Sequence, residues 1–341
     1  MSSILHSTAR PAWALAAFLT SLLAACSPDK PTGPIARVPG DAALGVSPPS
    51  KTCQPKCTPD RILYVKADYS PTTPWNGHVW VMNADTTAKA QITSGNADDD
   101  YPAWSPTYKK VVFSTNRRGA YELFTVNADG TGLSPLTNAG NQTSDLYATW
   151  APDGSKIYFS RFTPDPATGW SHGEIYSVNP NGTGLTKVSN EAASLYNPSV
   201  SPDGMKIAVV RLPLGAAWDQ ARLYTMNPDG TGMAMLTDGW TGDAEPAWSP
   251  DGSKVAFTCH EGFPDQRDIC IVGADGKNRQ SVVAWQGQQG NPTFSRDGSR
   301  IVFESYASGY GTVHSVKADG TSAIRLTPFD RNAYYSAAWS R

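Results

Sequence analysis

From residue 60 to the end of the chain, apolar residues come in short β-branched and aromatic runs separated by turn-forming residues. Five runs have the same shape: Val111-Val112-Phe113, Ile157-Tyr158-Phe159, Ile207-Ala208-Val209, Val255-Ala256-Phe257 and Ile301-Val302-Phe303. Each follows a phrase built on one large apolar anchor, for example Pro-Ala-Trp-Ser-Pro-Asp-Gly at 246–252. The anchors are Trp104, Trp150, Val200, Trp248, Phe294 and Trp339, spaced by 46, 50, 48, 46 and 45 residues. A third run follows a variable loop, as in Glu122-Leu123-Phe124-Thr125-Val126. An Asn-x-Asp-Gly turn and a short strand ending in Leu-Thr complete the period, at Leu136-Thr137, Leu236-Thr237 and Leu326-Thr327. Asp-Gly pairs between apolar strands mark tight hairpins, because Gly tolerates positive φ at no steric cost. Four antiparallel strands per period make one blade of a β-propeller.

The two ends of this pattern complement each other. Arg61–Val65 matches a second strand and His78–Met82 a third, yet no anchor phrase precedes them. Tyr335–Ser340, carrying the anchor Trp339, supplies the missing first strand. The expected fold is all-β: a six-bladed propeller over residues 60–341, closed by pairing of the C-terminal strand with the N-terminal blade. A blade cannot bury both faces alone, so closure is a condition of stability.

The Pro-x-Trp-Ser-Pro-Asp-Gly-x-Lys phrase, joined to Asn-x-Asp-Gly-Thr-Gly and a terminal Leu-Thr, resembles the WD40-like repeat of TolB-type propellers. The resemblance implies the fold and a protein-binding habit in the cell envelope. Where the family's namesake carries an α/β domain ahead of the propeller, a lipid anchor is expected here.

Residues 1–25 read as a signal segment. Arg10 gives a positive start, and Ala14–Ala25 is apolar apart from Thr20 and Ser21, too short a run for a comfortable membrane span. It ends in Leu23-Ala24-Ala25-Cys26, which resembles the lipobox of bacterial lipoproteins and implies acylation of Cys26. Ser27 follows, a pattern that implies outer-membrane sorting, facing the periplasm or the cell surface. Residues 26–59, rich in Pro, Ser, Thr and Gly, read as a tether. Cys53, Cys57, Cys259 and Cys270 are an even number for an oxidising compartment, and the local pairs 53–57 and 259–270 are the natural disulfides among three connectivities. A net charge of -2 offers no field for a phosphate backbone, so nucleic acid is not an expected partner.

Candidate chemistry divides between the two faces. Asp153, Asp203, Asp251 and Asp297 repeat on the Asp-Gly face. Recurrence in successive blades fits turn chemistry better than calcium, which needs several oxygens converging in one loop. The opposite face carries Trp75, Trp170, Trp218, Trp240, Trp285 and Tyr334, with Phe263, Tyr306, Tyr310 and Phe329. Aromatics not needed for strand packing mark recognition surfaces. Three residues before each anchor lie Tyr101, Tyr147, Asn197, Glu245, Asn291 and Ser336, expected to ring the channel mouth, with Asp98, Asp99, Asp100 and Asp243 adding charge. A cationic peptide segment, a sugar or a metal ion are the ligands such a rim suits. No motif demands a cofactor or metal. Gly169-Trp170-Ser171-His172-Gly173 matches the serine-hydrolase G-x-S-x-G by letter, but no strand–turn–helix surrounds it. His78, His172, His260 and His314 belong to different blades.

Together these point to a lipid-anchored envelope protein that recognises a protein or peptide through its aromatic face without catalysis. The alternative is a propeller lyase or hydrolase acting on a polysaccharide at the channel mouth.

Overall fold

The computed structural model describes residues 60–68, 76–140, 142–164, 171–238, 242–260, 266–307 and 309–340. The expected signal segment, lipidation at Cys26, tether and Cys53–Cys57 pair lie outside the described residues, as do Trp75, Trp170, Trp240 and Phe263.

The described chain forms six four-stranded antiparallel sheets, numbered here as blades 1 to 6 in chain order. Blades 2 to 6 run in sequence from the inner to the outer strand. Blade 1 is composite: the C-terminal strand Asn332–Trp339 lies inside Arg61–Asp68, which pairs in turn with Gly77–Asn83 and Ala90–Gln91. Its register sets Ile62 against Trp339 and Val65 against Tyr335. Beyond the strand, Ser340 N donates to Arg61 O at 2.8 Å, and Arg61 N to Ser340 Oγ at 3.0 Å. Ring closure by the C-terminal strand is thus a feature of the structure.

The continuous apolar runs follow from what each blade faces. Val111 and Phe113 on the second strand of blade 2 (Lys110–Arg118) pack toward blade 1, whereas Val112 packs toward blade 3. Every interface between neighbouring blades has such a cluster, six in all. Successive side chains point to opposite faces of a strand, and both faces are buried here, so alternation with polar residues is absent. The anchors fill these interfaces at 1–9% exposure.

The Leu-Thr signature has a specific cause. It falls just beyond the two-residue outer strands, where the Thr hydroxyl accepts the third strand's free amide. Leu123 N donates to Thr137 Oγ1 at 3.0 Å, Leu223 N to Thr237 Oγ1 at 3.0 Å and Val313 N to Thr327 Oγ1 at 2.9 Å. Thr93 and Ser189 do the same for Val79 and Ile175. Blade 5 has Val283 at this position, and its outer strand runs on through Gln280–Val283 to pair Val283 with Ile269 directly.

Candidate binding site at the channel mouth

All six inner strands break register at the same point, between Asp100 and Ala103 in blade 2 and at the equivalent positions elsewhere. Each bulge holds one residue in the left-handed region: Tyr101 (φ 49°), Tyr147 (58°), Asn197 (52°), Glu245 (55°), Asn291 (50°) and Ser336 (49°). None is glycine. A bulge inserts one extra residue and re-aims its side chain. Left-handed backbone costs an L-residue about 1–2 kcal/mol, and a bulky Tyr there is a genuine outlier. The inner strands start at the end of the blade where the second strand turns into the third, as the pairings Asp99–Thr115 and Arg118–Ala120 show. The six bulges therefore lie toward the varied face, and the Asp-Gly turns lie at the other end.

From blade 5 through blades 6 and 1 to blade 2 the ring is a hydrogen-bonded chain anchored on carboxylates. Glu245 Oε2 accepts from Thr258 Oγ1 at 2.5 Å and from Asn291 N at 2.7 Å. Asn291 Nδ2 donates to Glu304 Oε1 at 2.8 Å, and Ser336 N to Glu304 Oε2 at 2.8 Å. Ser336 Oγ then donates to Asp100 Oδ1 at 2.6 Å, which also accepts from Tyr101 N at 2.7 Å. Gly290 makes room for this chain: a Cβ there would sit 3.0 Å from Glu245 Oε2 and 3.3 Å from Glu304 Oε1.

Burial shifts two of these acids, Asp100 and Glu304. It pushes Asp100 up to about 8, with the Asp98 charge adding to the effect and the Ser336 hydrogen bond opposing it. Burial, followed by repulsion from Glu245, raises Glu304 to about 7, while the Arg267 guanidinium pulls it down. The Tyr101 and Tyr306 hydroxyls are held well above their ordinary range, first by burial and then by neighbouring groups that include Asp100 and Glu245.

Around blades 2 to 4 the ring is flanked by aromatic side chains. Tyr101 and Tyr147 lie with ring centroids 4.3 Å apart. Tyr147 meets Phe162 edge-on at 6.1 Å, Phe162 meets Tyr196 at 6.0 Å, and Tyr196 stacks on Trp218 at 5.4 Å. This ladder leads across blades 2 to 4 to Trp218, 42% exposed at the single 3-10 turn Trp218–Gln220 among the described residues.

The expected site residues separate accordingly. The six ring residues occupy equivalent positions, with direct contacts linking Tyr101 to Tyr147 and Asn291 to Glu245. Trp218 is exposed, whereas Trp285 packs edge-on against Phe303 and His314. Tyr334 is 4% exposed, in the blade-closing cluster, with its hydroxyl donating to Asp330. Two of the acids expected on the rim are instead fully buried in ion pairs, Asp99 with Arg117 at 2.7 Å and Asp243 with both terminal guanidinium nitrogens of Arg279. A matching pair joins Asp145 to Arg161. Asp98 accepts from Gly77 N and Tyr121 Oη. Glu304 escapes the repeat logic because it sits on a second strand. Its signal is a carboxylate inside the apolar run Ile301-Val302-Phe303-Glu304, where other blades place Ser, Thr or Val. Phe162 and Tyr196 carry no such signal in the sequence, because neither stands at a loop or ring position of the repeat.

On the opposite face, Asp203, Asp251 and Asp297 each accept from the backbone amide two residues on and from the Ser two residues before. Asp153 accepts from Ser155 N. These bonds hold all four below the usual carboxylate range, so the turns themselves use the carboxylates. Among the described residues no group of three His, Cys, Asp or Glu is placed to hold a metal. Ser171 begins the strand Ser171–Val178 rather than an elbow. His78 lies 3.4 Å from Asp99, His172 lies beside Glu174, and His314 pairs with Thr312 in blade 6. A disulfide joins Cys259 to Cys270, bracketing the loop between the second and third strands of blade 5.

Comparison with known proteins agrees with this architecture. The sequence pattern of the TolB beta propeller domain matches residues 51–289 and 244–341. A protein TolB homolog of Chlorobium luteolum is 30% identical over a segment covering 31% of this chain and 32% of that protein, so the chain spans about a third of this relative's length. Among solved structures, TolB from Acinetobacter baumannii superposes with a TM-score of 0.69 at 18% identity, covering 82% of this chain and 66% of that one. A candidate TolB from Agrobacterium tumefaciens gives 0.59 at 18% identity, covering 82% and 98%. At such identities the structural likeness speaks for the fold alone.

Proposed function

The chain belongs to the TolB beta propeller family, and from that premise we propose that it is a non-catalytic binding protein of the cell envelope. In this reading the lipid on Cys26 holds it at the membrane, residues 26–59 tether it, and the propeller of residues 60–341 docks a protein or peptide on the face of its ring residues. The outer membrane, facing the periplasm or the cell surface, is the proposed location.

The observation that carries this reading is the aromatic ladder from Tyr101 to Trp218. Tyr101 and Tyr147 sit on strained, left-handed backbone that presents them at the ring, and Trp218 ends the ladder exposed, in the same loop between strands as Leu214, itself 59% exposed. Rigid aromatics bury much area at small entropic cost, as recognition surfaces require.

The test is cross-linking from this face. A photoreactive group at position 218, introduced into the full-length lipoprotein in intact cells, is expected to capture one defined envelope protein or peptide, whereas the same group at Met205, on the turn face, captures none. Equal labelling from both positions would remove the reading. So would turnover of a polysaccharide by purified protein that is lost on substitution of Asp100 or Glu304. The anchor is tested separately: Cys26→Ser should move the protein from the membrane to the soluble fraction.

A further inference from the structure

The carboxylates at the channel mouth are built for more than holding the ring together. Asp100 and Glu304 are 9% and 8% exposed, and a third acid, Glu245, adjoins Glu304 across Gly290. Hydrogen bonds use one oxygen of Asp100 and one of Glu245; Asp100 Oδ2 and Glu245 Oε1 take none from a described residue. The second strand of blade 2 gives an independent sign. Ser114 is fully buried, and its Oγ has no hydrogen-bond partner. It pairs in register with Asp100, and the equivalent Ser160, Thr258 and Glu304 all direct a side-chain oxygen to a ring residue. A buried hydroxyl without a partner carries a desolvation cost that a ligand's donor would relieve.

We propose that the channel mouth is a receptor for an organic cation: the ammonium or guanidinium of a basic side chain on the docked partner. The inference rests on the docking face proposed above and names the chemistry at its centre.

Three features select an organic cation over a metal ion. The acids lie in different blades, separated by the hydrogen-bond donors of Asn291 and Ser336, and among the described residues no three His, Cys, Asp or Glu are placed to hold a metal ion. Small hard cations need several oxygens in contact, whereas an ammonium or guanidinium donates several separated hydrogen bonds. Finally, Tyr101 and Tyr147 supply aromatic faces beside the carboxylates, and such faces attract alkylammonium and guanidinium groups.

Charge bookkeeping gives the proposal a signature. The charged and titratable groups around Asp100 and Glu304 are Asp98, Tyr101 and Tyr121 of blade 2, Tyr147 of blade 3, Glu245 and Arg267 of blade 5, Tyr306 of blade 6 and Tyr335 of the closing strand. Arg267 offsets one negative charge. With Asp100 raised to about 8 and Glu304 to about 7, the empty site carries protons at neutral pH. A cation that enters displaces them to solvent, so binding releases protons and tightens as pH rises.

The experiment titrates purified, folded propeller with N-acetyl-lysine methylamide and N-acetyl-arginine methylamide, by tyrosine NMR shifts and by calorimetry in two buffers of different ionisation enthalpy. N-acetyl-norleucine methylamide and calcium chloride are the controls. We expect saturable binding of the basic probes, proton release, affinity about tenfold higher at pH 8 than at pH 6.5, and loss of at least about tenfold in Glu245→Gln. Melting curves confirm that the variant is folded, and Asp100→Asn gives a second variant should it not be. Equal binding of the norleucine probe overturns the cation while leaving the docking face intact. Saturable calcium binding with no basic probe bound overturns it in favour of a metal. No binding by any probe, with the cross-link at position 218 still forming, also overturns it; loss of that cross-link as well removes the docking face too.

Discussion

At the residue scale, two opposed sets of shifted groups predict how stability depends on pH. Asp100 and Glu304 keep a proton in the folded chain at pH values where the unfolded chain has lost it. Their contribution is complete below about pH 4 and disappears as pH rises through about 7 to 8. Burial lowers His260 and takes His314 down to about 4, so these rings oppose folding as pH falls below about 6.5, where the unfolded imidazoles become charged. Between about pH 6.5 and 8 the carboxyl effect stands alone. The melting temperature should fall across that window, with ΔG declining by on the order of 1 kcal/mol per pH unit, and Asp100→Asn should flatten the slope. A slope unchanged in the variant would place the titrating group elsewhere. The ring backbone gives a second prediction. Asn197 adopts φ 52° with its amide donating to Ser160 Oγ. Urea denaturation should show Asn197→Ala destabilised by about 1 kcal/mol and Asn197→Gly changed by much less, since only glycine and asparagine adopt this conformation cheaply.

At the element scale, the Thr hook explains a signature that reads from sequence only as a strand ending. Thr237→Val keeps the volume but leaves the buried Leu223 amide without its acceptor, a cost of about 1–3 kcal/mol. Native-state hydrogen exchange should show that amide, among those of blade 4, losing protection first. Blade 5 is the natural control, because Val283 already stands at that position and a longer outer strand supplies backbone pairing. The Cys259–Cys270 bridge belongs to this scale too. It closes the loop in blade 5 that leads to Arg267, and the chain-entropy account gives about 3 kcal/mol for a loop of this kind. The double substitution to Ser should lower stability by that order in chemical denaturation, and the wild-type protein should show no free thiol at these two positions by mass spectrometry without reduction.

At the scale of the whole molecule, stability is shared among six inter-blade clusters in a closed ring, so no blade has a core of its own. Removing residues 331–341 strips blade 1 of its inner strand together with Tyr334, Ala337 and Trp339 of one cluster, and cuts the Glu304–Ser336–Asp100 link. A single cooperative transition should give way to broad, non-cooperative melting; a truncated chain that melts like the intact one would sink this account of closure. The repeat phrases determined the blade count, the strand order within a blade and the closing strand, because turn residues and apolar runs are local properties of the chain. They also located the six ring positions, at a constant offset from the anchors. They did not reveal that each ring residue sits left-handed in a bulge, nor that Asp99 and Asp243 spend their charge on Arg117 and Arg279 inside the blades. Nor did they bring Glu304 to Asp100 through Ser336, residues more than 200 positions apart in the chain. Hydrogen bonding and desolvation depend on which groups meet across blade boundaries, and only ring closure decides that.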